Sequence, residues 1–300
     1  MRALVVLNPR AGRGLSERVW QKKRHTVRNR LGSVHVVRPP SFDEAVATVR
    51  ESLQQGTTHI ACIGGDGSLQ AIVNGFFENG ELINPDAVIL PVIAGTGSDF
   101  PRALRRRGKP GNELNIDIGQ VQYTTTDGEQ ALRYFVNMAS VGFSADVIRQ
   151  LERSSTPRFL GGTLRFFIAI VQAIWKSSSP NIRISVDGGP AVSHRSRCVA
   201  IGNGHSFAGG LAITPHADPS DGIFEITSIG AAPAGWLLLR AHYFYRGAHL
   251  TLDGVKSWRG KQISLRSPDE VQVEADGELL GFLPATISCL PQKIRMWHPI

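Results

Sequence analysis

The stretch IACIGGDGSLQAIVNGF, residues 60–76, indicates how the first part of the chain folds. It begins with the apolar run Ile60–Ile63, typical of a buried strand, continues with Gly64-Gly65-Asp66-Gly67-Ser68, and ends in a helical pattern through Phe76. A glycine-rich loop between a strand and a helix lets backbone N–H groups approach a phosphate closely. A tight turn without a ligand explains this loop equally well. Its spacing is neither a Walker A loop nor G-x-G-x-x-G, which disfavours a dinucleotide fold of the dehydrogenase type.

Strand and helix patterns alternate over the first 120 residues. Three further β-rich runs are predicted as strands: Ala3–Leu7, Val34–Val37 and Ala87–Ile93. Helical patterns lie between them, one of them opened by a capping box of Ser41 and Glu44. Short apolar strands separated by helices predict a parallel sheet covered on both faces. We therefore expect a Rossmann-like, three-layer α/β domain over residues 1–122.

Glycine-bearing loops follow three of the predicted strands. They are Asn8–Gly14, Gly64–Ser68 and Gly95–Asp99. Right-handed crossovers place such loops along one edge of a parallel sheet, so the three should converge on one crevice. Ser68 and Thr96 could donate hydroxyl hydrogen bonds to a phosphate there, or cap the helices that follow. The convergence favours a nucleotide site over three unrelated turns.

The second part of the chain has a different pattern. Asp-Gly occurs six times, and four of the last five occurrences lie between β-like runs, which is a strong hairpin signal. The predicted strands are Arg133–Ala139, Ile182–Val186, Arg197–Ile201, Ile223–Ile229, Gln262–Arg266, Val271–Ala275 and Ala285–Leu290. Helical patterns interrupt them near Leu160–Trp175 and Ala234–Tyr245. We expect an antiparallel β-sandwich-like domain with inserted helices over residues 123–290, and residues 291–300 as a segment that could return to the first domain.

The basic charge is concentrated at the start of the chain. The net charge is +8, from 33 Lys and Arg against 25 Asp and Glu, and residues 1–30 alone hold nine basic side chains and one acidic one. The rest of the chain is therefore balanced, which excludes a uniformly cationic nucleic-acid coat. No interleaved aromatic-basic strand motif accompanies the charge, so we expect no nucleic-acid partner. The apolar fraction of 42% excludes a disordered chain.

The sequence predicts a cytoplasmic protein. The longest apolar stretch, Phe166–Trp175, is interrupted by Gln172 and is shorter than the roughly 20 residues of a membrane span. The start of the chain does not resemble a signal peptide. The cysteines Cys62, Cys198 and Cys289 are far apart in apolar runs, which favours buried reduced thiols. Neither C-x-x-C nor H-E-x-x-H occurs, so a structural zinc or zincin site has no support.

Motifs spaced over nearly the whole chain resemble one enzyme superfamily. They are Asn8-Pro9-x-Ala11-Gly12, Gly64–Gln70 with Asn74-Gly75, Pro91–Phe100, Asn115–Gly119, Asn137–Ala145, Pro215–Phe224 and Ala275-Asp276-Gly277-Glu278. Together they resemble the diacylglycerol kinase catalytic-domain superfamily, the soluble lipid kinases, and most of all its bacterial members. Gly-Gly-Asp-Gly alone is less specific, because NAD kinases and phosphofructokinases resemble this loop too.

The resemblance implies ATP-dependent transfer of the γ-phosphoryl group to a lipid hydroxyl of the diacylglycerol kind, with Mg²⁺. It places the active site in a cleft between the two domains. By match to the family motif, Asp276 is the candidate general base that takes the hydroxyl proton. A plain hairpin turn explains Asp276-Gly277 as well, and both interpretations can hold, because a tight turn presents its carboxylate rigidly.

The resemblance also implies the binding residues. Nucleotide contacts are implied for Asn8, Pro9, Gly12, Gly64, Gly65, Asp66, Gly67, Ser68, Gln70, Gly95, Thr96 and Glu278. Magnesium contacts are implied for Asp99 and Asp117, with Asp218 and Asp221 as further candidates. Carboxylates that converge on one cleft repel each other unless a cation joins them, which suits Mg²⁺ better than zinc. A helix N-cap is the structural alternative for Asp99.

Several residues depart from the family pattern. Ser98 stands where the family usually has Asn, and Ser68 and Gln70 replace its usual Thr and Asn. His216 stands where relatives often place an acidic magnesium ligand, and neutral His is a poor ligand for Mg²⁺. This departure puts the secondary magnesium site of bacterial relatives in doubt unless Asp218 or Asp221 substitutes.

The expected partner is a lipid substrate at a membrane surface. The basic first helix and the cations from Arg102 to Lys109 could hold the protein to the inner face of an anionic membrane, or simply be solvated. One face of the two helical stretches of the second part could contact lipid, although packing on the sandwich explains both. The alternatives are a kinase for a soluble alcohol such as NAD, and a non-catalytic lipid-binding protein with a relic nucleotide site. The sequence does not indicate the oligomeric state, and a homodimer stays open.

Overall fold

The computed structural model describes residues 3–9, 11, 14–94, 98–107, 112–153 and 172–300. The chain divides into two compact units. Unit 1 comprises Met1–Ile118 and Pro291–Ile300, and unit 2 comprises Gly119–Leu290. Among the described helices, none combines the length and the apolar character needed to cross a membrane.

Unit 1 is built on parallel strands. In chain order they are β1 (Ala3–Leu7), β2 (Val34–Val37), β3 (His59–Gly64) and, after the short hairpin of β4 (Phe77–Glu78) and β5 (Glu81–Leu82), β6 (Val88–Ile93). The order across the sheet is β6-β3-β1-β2, and every pairing is parallel. Arg295 and Met296, near the end of the chain, add a parallel pairing on β6. The strands β1 and β3 are buried throughout, as expected of strands in a covered sheet.

Three described helices lie between these strands, α1 (Leu15–Leu31), α2 (Phe42–Gln54) and α3 (Asp66–Gly75), and α4 (Asp99–Arg107) follows β6. Trp20, Val27 and Leu31 of α1 repeat at helical spacing and pack against apolar side chains of β1 and β3. The Ser41 hydroxyl accepts a hydrogen bond from the Glu44 amide at 3.2 Å, which confirms the predicted N-terminus of α2.

Unit 2 is built on antiparallel strands. They are β7 (Glu113–Thr124), β8 (Gln130–Phe135), β9 (Met138–Gly142), β10 (Asn181–Val186), β11 (Val192–Gly202), β12 (Phe224–Gly230), β13 (Val255–Gly260), β14 (Gln262–Arg266), β15 (Gln272–Ala275) and β16 (Glu278–Trp297). The first residues of β7 and the last residues of β16 belong to unit 1. One path runs β13-β12-β11-β10-β14-β16, while β9 pairs with β11 and β15, and β15 pairs with β16. A buried cluster that includes Phe135, Phe224 and Ile287 joins these strands. The helix α5 (Phe143–Arg153) follows β9, and α6 (Ala234–Leu239) and α7 (Ala241–Tyr245) follow β12.

Three predicted elements of unit 2 differ from the structure. The single strand predicted over Arg133–Ala139 is two strands, β8 and β9, separated at Val136 and Asn137. The strand predicted over Ala285–Leu290 is part of the 20-residue β16. The helix predicted over Ala234–Tyr245 is two short helices that meet at Arg240. Of the helix predicted near Leu160–Trp175, residues 160–171 lie outside the described part of the chain, and residues 172–176 are helical.

The cysteines are free thiols, as predicted. Cys62 and Cys198 are buried, whereas Cys289 is half-buried. Burial raises the pKa of the Cys62 thiol, and the charge of Asp66 raises it further. A thiol with a raised pKa is a poor nucleophile, so Cys62 is a packing residue of β3.

Candidate functional site

The first two glycine loops of unit 1 contact each other directly. Asn8 follows β1, and its amide N–H donates to the carbonyl oxygen of Ile63 at the end of β3. The Asn8 side chain donates from Nδ2 to Oγ of Ser68 at 3.0 Å, and the Ser16 hydroxyl donates to the Asn8 carbonyl at 2.6 Å. The predicted convergence of these two loops is therefore observed. Pro9, next to Asn8, is exposed.

Gly65 caps the helix that follows the second loop. Its carbonyl oxygen accepts from the amides of Ser68 and Leu69, both at 3.1 Å. The first N–H groups of an α-helix have no partner within the helix, and the dipole favours an anion at that end. A Cβ atom on Gly67 would meet nothing within 4 Å, whereas one on Gly64 would lie 2.3 Å from Oγ of Ser68. Gly64 is therefore required by close packing, and Gly67 borders open space at the helix N-terminus.

Asp66 links the second loop to the start of α4. Its carboxylate accepts from the amide of Asp99 at 2.9 Å and from the amide of Phe100 at 3.3 Å. The structural alternative for Asp99 was a helix N-cap. In the structure, the Asp66 carboxylate accepts from the first two amides of α4. Asp99 is itself buried, and its carboxylate lies 4.0 Å from Nη1 of Arg102. Asp66 and Asp99 are therefore joined by a hydrogen bond at the start of α4.

The remaining predicted residues of unit 1 have separate positions. Gln70 is completely buried in α3, where its backbone carbonyl oxygen accepts a hydrogen bond from Nδ2 of Asn74 at 2.9 Å. Asp117 is completely buried in β7, and its Oδ1 accepts from the amide of Gln292 at 2.6 Å. Asp117 thus fastens the last segment of the chain within unit 1. Gly12, Gly95 and Thr96 lie outside the described residues.

Asp276 occupies the first turn position of the hairpin that joins β15 to β16. Ala275 pairs with Glu278 across the turn, and Asp276 and Gly277 have positive φ values of 48° and 89°. Two consecutive residues in this conformation form a two-residue hairpin turn, for which Asp-Gly is a preferred sequence. The predicted hairpin at Asp276 is confirmed, and its short turn fixes the backbone that carries the carboxylate.

Three backbone amides hold the Asp276 carboxylate. Val136 donates to Oδ2 at 2.7 Å, and Asn137 and Met138 donate to Oδ1, both at 2.9 Å. Val136 and Asn137 form the break between β8 and β9, and Met138 begins β9, so the break and the start of β9 provide the donors that bind the carboxylate. A carboxylate has about four acceptor positions, and these bonds fill three of them, leaving one on Oδ2.

Two asparagines that have no role predicted from the sequence, Asn137 and Asn203, support the break between β8 and β9. Asn203 donates from Nδ2 to the Val136 carbonyl at 2.7 Å, and Asn137 donates from Nδ2 to the Ser206 carbonyl at 3.0 Å. The amides of Asn203 and Gly204 donate to the Asn137 carbonyl at 2.9 and 2.8 Å. Asn137 lies within one of the motifs that carry the family resemblance. For Asn203, the signal available in the sequence was the pair Asn203-Gly204 shortly after the predicted strand Arg197–Ile201.

The surroundings of Asp276 set its proton affinity. Burial raises the pKa of the Asp276 carboxyl to about 6, against the opposing effect of the three amides, which stabilise the ionised form. A carboxylate with a pKa near 6 is mostly ionised at neutral pH and can still accept a proton from a hydroxyl group. The arrangement is therefore suited to general-base chemistry.

The other predicted site residues of unit 2 are Asp218, Asp221 and Glu278. Asp221 pairs with Arg259 at 2.5 Å, and Asp218 accepts from the Ser220 amide and hydroxyl at 3.0 and 2.7 Å. Glu278 is exposed at the start of β16. Over the described ranges, no group of three or more His, Cys, Asp or Glu residues is arranged to hold a metal ion. The magnesium assignments of Asp117, Asp218 and Asp221 stay predictions.

Two families match the chain, one in each part. Residues 2–130 match the family described as the diacylglycerol kinase catalytic domain. Residues 137–298, more than half of the chain, match the family described as the YegS C-terminal NAD kinase beta sandwich-like domain.

Individual kinases are also similar to this chain over nearly its whole length. A diacylglycerol kinase of Mycobacterium tuberculosis is 26% identical over 302 aligned positions, which cover 97% of this chain and 93% of that protein. The crystal structure of a diacylglycerol kinase from Bacillus anthracis str. Sterne superposes with a TM-score of 0.68 at 17% identity, covering 99% of this chain and 96% of that one. Yeast NADH kinase complexed with NADH gives 0.57 at 10% identity, covering 99% and 82%. At these identities the two structures establish a shared fold.

Proposed function

The chain belongs to the diacylglycerol kinase catalytic-domain family and carries its β-sandwich-like C-terminal domain; from this premise we propose that it is a lipid kinase that uses ATP. The acceptor that we propose is the free hydroxyl group of a diacylglycerol-like lipid. The curated relative from Mycobacterium tuberculosis is named a diacylglycerol kinase, which supports this class of acceptor.

The setting of Asp276 is the observation that carries the proposal. The acceptor hydroxyl oxygen forms a bond to the γ-phosphorus as the bond from that phosphorus to the bridging oxygen of ADP breaks. The hydroxyl proton passes to the Asp276 carboxylate, which already binds three amides and has one acceptor position left on Oδ2. Phosphoryl transfer relies chiefly on positioning and charge stabilisation, so a base held this rigidly is well suited to it.

The glycine loops of unit 1 are the proposed site for the ATP phosphates. Gly67 borders open space at the N-terminus of α3, the end of a helix that favours an anion, and the side chains of Ser68, next to it in sequence, and Asn8, at the end of β1, hydrogen-bond to each other. Gly65, Gly12, Gly95, Thr96, Pro9, Gln70 and Glu278 are proposed nucleotide contacts on the strength of the family match alone. Transfer requires the γ-phosphorus bound there to reach the hydroxyl beside Asp276.

Mg²⁺ is proposed as the cofactor that accompanies ATP. It is usually held by one or two carboxylates together with phosphate oxygens and water, and does not need a full protein cage. Asp66 and Asp99, which meet at the start of α4, fit this requirement. Mg²⁺ would neutralise phosphate charge there. Asp117, Asp218 and Asp221 are further proposed ligands on the strength of the family resemblance alone.

We propose an anionic membrane surface as the place where the enzyme meets its substrate. Three strongly exposed apolar side chains of unit 2, Trp175, Leu239 and Tyr245, are 68%, 76% and 48% exposed. Each is followed directly by a cation, in the pairs Trp175–Lys176, Leu239–Arg240 and Tyr245–Arg246. Aromatic and aliphatic side chains next to Lys or Arg are typical of protein surfaces that enter the membrane interface.

These three exposed positions lie within two residues of members of one buried cluster. Their neighbours Ile174, Leu237 and Phe244 pack together in it. Arg197 ties two of the segments by donating to the carbonyl oxygens of Ile174 and Ala232 at 3.0 and 2.9 Å. Residues 231–252 contain no Asp or Glu, so nothing acidic in that segment repels anionic lipid. The exposed cations of α1 are a second proposed contact with such a membrane.

A radiolabelled phosphoryl-transfer screen tests the proposed function. Labelled ATP and Mg²⁺ are supplied with diacylglycerol, ceramide, a sphingoid base or phosphatidylglycerol in mixed micelles, and with NAD as a soluble acceptor. We expect label in diacylglycerol and none in NAD. Label in NAD alone would support the soluble-alcohol alternative, and label in no acceptor would contradict the kinase proposal.

A further inference from the structure

Glu274 is a buried carboxyl group that the mechanism above does not use. It precedes the Asp276 turn on β15, is 5% exposed, and lies between β9 and β16. Its Oε2 accepts from the amide of Gly277 at 3.1 Å, directly after Asp276. Its Oε1 accepts from the hydroxyl of Ser140. Glu274 therefore bonds to the turn on one side and to β9 on the other.

The hydroxyl groups beside Glu274 can serve either of its ionisation states. Ser140 also hydrogen-bonds to the hydroxyl of Ser144, and either of the two can donate. When Glu274 is ionised, Ser144 donates to Ser140 and Ser140 donates to Glu274. When Glu274 has taken up a proton from solvent, it donates to Ser140, and Ser140 donates to Ser144. The chain of bonds survives both states, so the network does not force Glu274 to stay ionised or neutral.

Within the described part of the chain, no cation forms an ion pair with Glu274. Burial raises the pKa of the Glu274 carboxyl to about 7, and the charge of Asp276 contributes. The titratable and charged groups on the elements around it include Asp276 in the turn, Glu278 on β16, Arg197 and Cys198 on β11, and Asp146 and Arg149 on α5. Of the two basic groups, Arg149 binds Gln272 and Arg197 binds backbone carbonyl oxygens and the Ser177 hydroxyl.

We propose that Glu274 is a positioning residue for Asp276, which fixes the catalytic turn through Gly277 and, by ionising in a step coupled to that of Asp276, sets how basic the Asp276 carboxylate is. The inference rests on the proposed function, because Asp276 acts there as the base. Two carboxyl groups this close ionise in two steps that belong to the pair. The first step makes Asp276 competent, and the second adds a like charge that makes it a stronger base.

Three variants separate this role from simple packing. Glu274→Gln keeps the acceptor for Gly277 and a hydrogen bond to Ser140 but cannot ionise. Glu274→Ala removes the bond to the turn as well. Glu225→Gln is the matched control, because Glu225 is also a buried carboxyl of unit 2 that accepts from a backbone amide, that of His216 at 2.6 Å.

The first readout is the dependence of kcat on pH. We expect the wild type to rise through two ionisations, near pH 6 and near pH 7, and Glu274→Gln to rise through one. We expect Glu274→Ala to lose at least about tenfold in kcat with an unchanged KM for ATP, because the base is no longer held in place. Glu225→Gln keeps the wild-type profile. A two-step profile that persists in a folded Glu274→Gln, or a wild-type kcat in Glu274→Ala, would overturn the inference.

The second readout needs no activity. Infrared titration follows the protonated carboxyl band of Glu274 in the nucleotide-free protein, identified by its loss in Glu274→Gln. We expect that band to titrate at lower pH in Asp276→Asn, because the neighbouring charge is gone. An unchanged titration would refute the coupling. If the titration moves but no lipid is phosphorylated by the wild type, the proposed function fails while the coupling stands.

Discussion

The backbone amide of Met138 donates to Oδ1 of Asp276 at 2.9 Å, and the amide of Asp276 donates back to the carbonyl oxygen of Met138 at 2.8 Å. This reciprocal pair extends the β9–β15 register, in which Ala275 pairs with Ala139, by one more residue. The Asp276 carboxylate thus accepts a hydrogen bond at the position where the β9–β15 pairing ends. If Asp276 is the base, as proposed, a carboxylate fixed in this way needs no reorientation when substrate arrives, which is the condition under which positioning lowers a reaction barrier.

The second glycine loop offers a matched pair of substitutions. In Gly64→Ala the new Cβ would lie 2.3 Å from Oγ of Ser68, so the loop must shift, and we expect a lower melting temperature and weaker ATP binding. In Gly67→Ala nothing lies within 4 Å of the new Cβ, and Ala is favoured over Gly in a helix by about 0.5–1 kcal/mol.

We expect Gly67→Ala to melt no lower than the wild type and still to bind ATP more weakly, because the methyl group enters the proposed phosphate space. Calorimetric titration with ATP and thermal melting measure the two effects separately. If Gly67→Ala bound ATP with wild-type affinity, the proposed phosphate site at the N-terminus of α3 would be contradicted.

The buried carboxyl pair makes stability depend on pH. Burial raises the pKa of Glu274 from 4.5 to about 7 and that of Asp276 from 3.8 to about 6. The folded state therefore binds protons more tightly than the unfolded state, and the stability that this gives is present at low pH and lost as pH rises through 6 and 7. For Glu274 alone the difference amounts to about 3 kcal/mol.

Glu274→Gln isolates this contribution. The histidines His59, His194 and His249 act in the opposite direction, because burial lowers their pKa values, so the difference between wild type and variant is the useful quantity. Between pH 5 and pH 8, we expect the wild type to lose stability relative to Glu274→Gln in urea unfolding. Parallel curves for the two proteins would show that the Glu274 carboxyl does not titrate in this range.

The apolar–cationic pairs predict a specific loss of membrane binding. We expect Leu239→Glu and Trp175→Glu each to weaken sedimentation with anionic vesicles by about tenfold, because a charge replaces a side chain that would be buried in the interface. Leu132→Glu is the matched control, since Leu132 is 39% exposed on β8. Equal binding by Leu239→Glu and Leu132→Glu would exclude this surface as the contact.

Short-range patterns predicted much of the fold. The strands β1, β2 and β14 have the predicted bounds, because each is a compact β-rich run with clear ends. The cap at Ser41 and the hairpin at Asp276-Gly277 were predictable for the same reason: their signals lie within four residues.

Long-range contacts explain what the sequence analysis missed. The run from Arg133 to Ala139 is β-like throughout, and it is interrupted where Val136 and Asn137 donate to Asp276, which is 140 and 139 positions away. In a regular strand, Glu274 would lie on the opposite face of the sheet from Val273 and Ala275. All three residues are nevertheless buried, and the pairing register of β15 with β16 shifts between Val273 and Glu274. Neither feature has a local signature. The candidate base was identified through the family motif, whereas its supporting residues required the structure.

Phosphoryl transfer by Asp276→Asn tests the central claim most directly. Asn keeps an acceptor for Asn137 and Met138 but turns an N–H group toward the amide of Val136, so we expect a lower melting temperature as well as the loss of the base. Asp187→Asn is the matched control, because Asp187 begins the Asp187-Gly188 turn and its Oδ1 accepts from the amides of Lys261 and Gln262, both at 2.8 Å.

The measurement is the rate of label transfer from ATP to diacylglycerol, at a temperature where all three proteins are folded and with ATP binding measured in parallel. We expect Asp276→Asn to bind ATP like the wild type and to transfer label about 10²–10⁴ times more slowly, while Asp187→Asn keeps the wild-type rate. A folded, ATP-binding Asp276→Asn that transfers label within about tenfold of the wild-type rate would show that Asp276 is a structural residue of the hairpin and not the base.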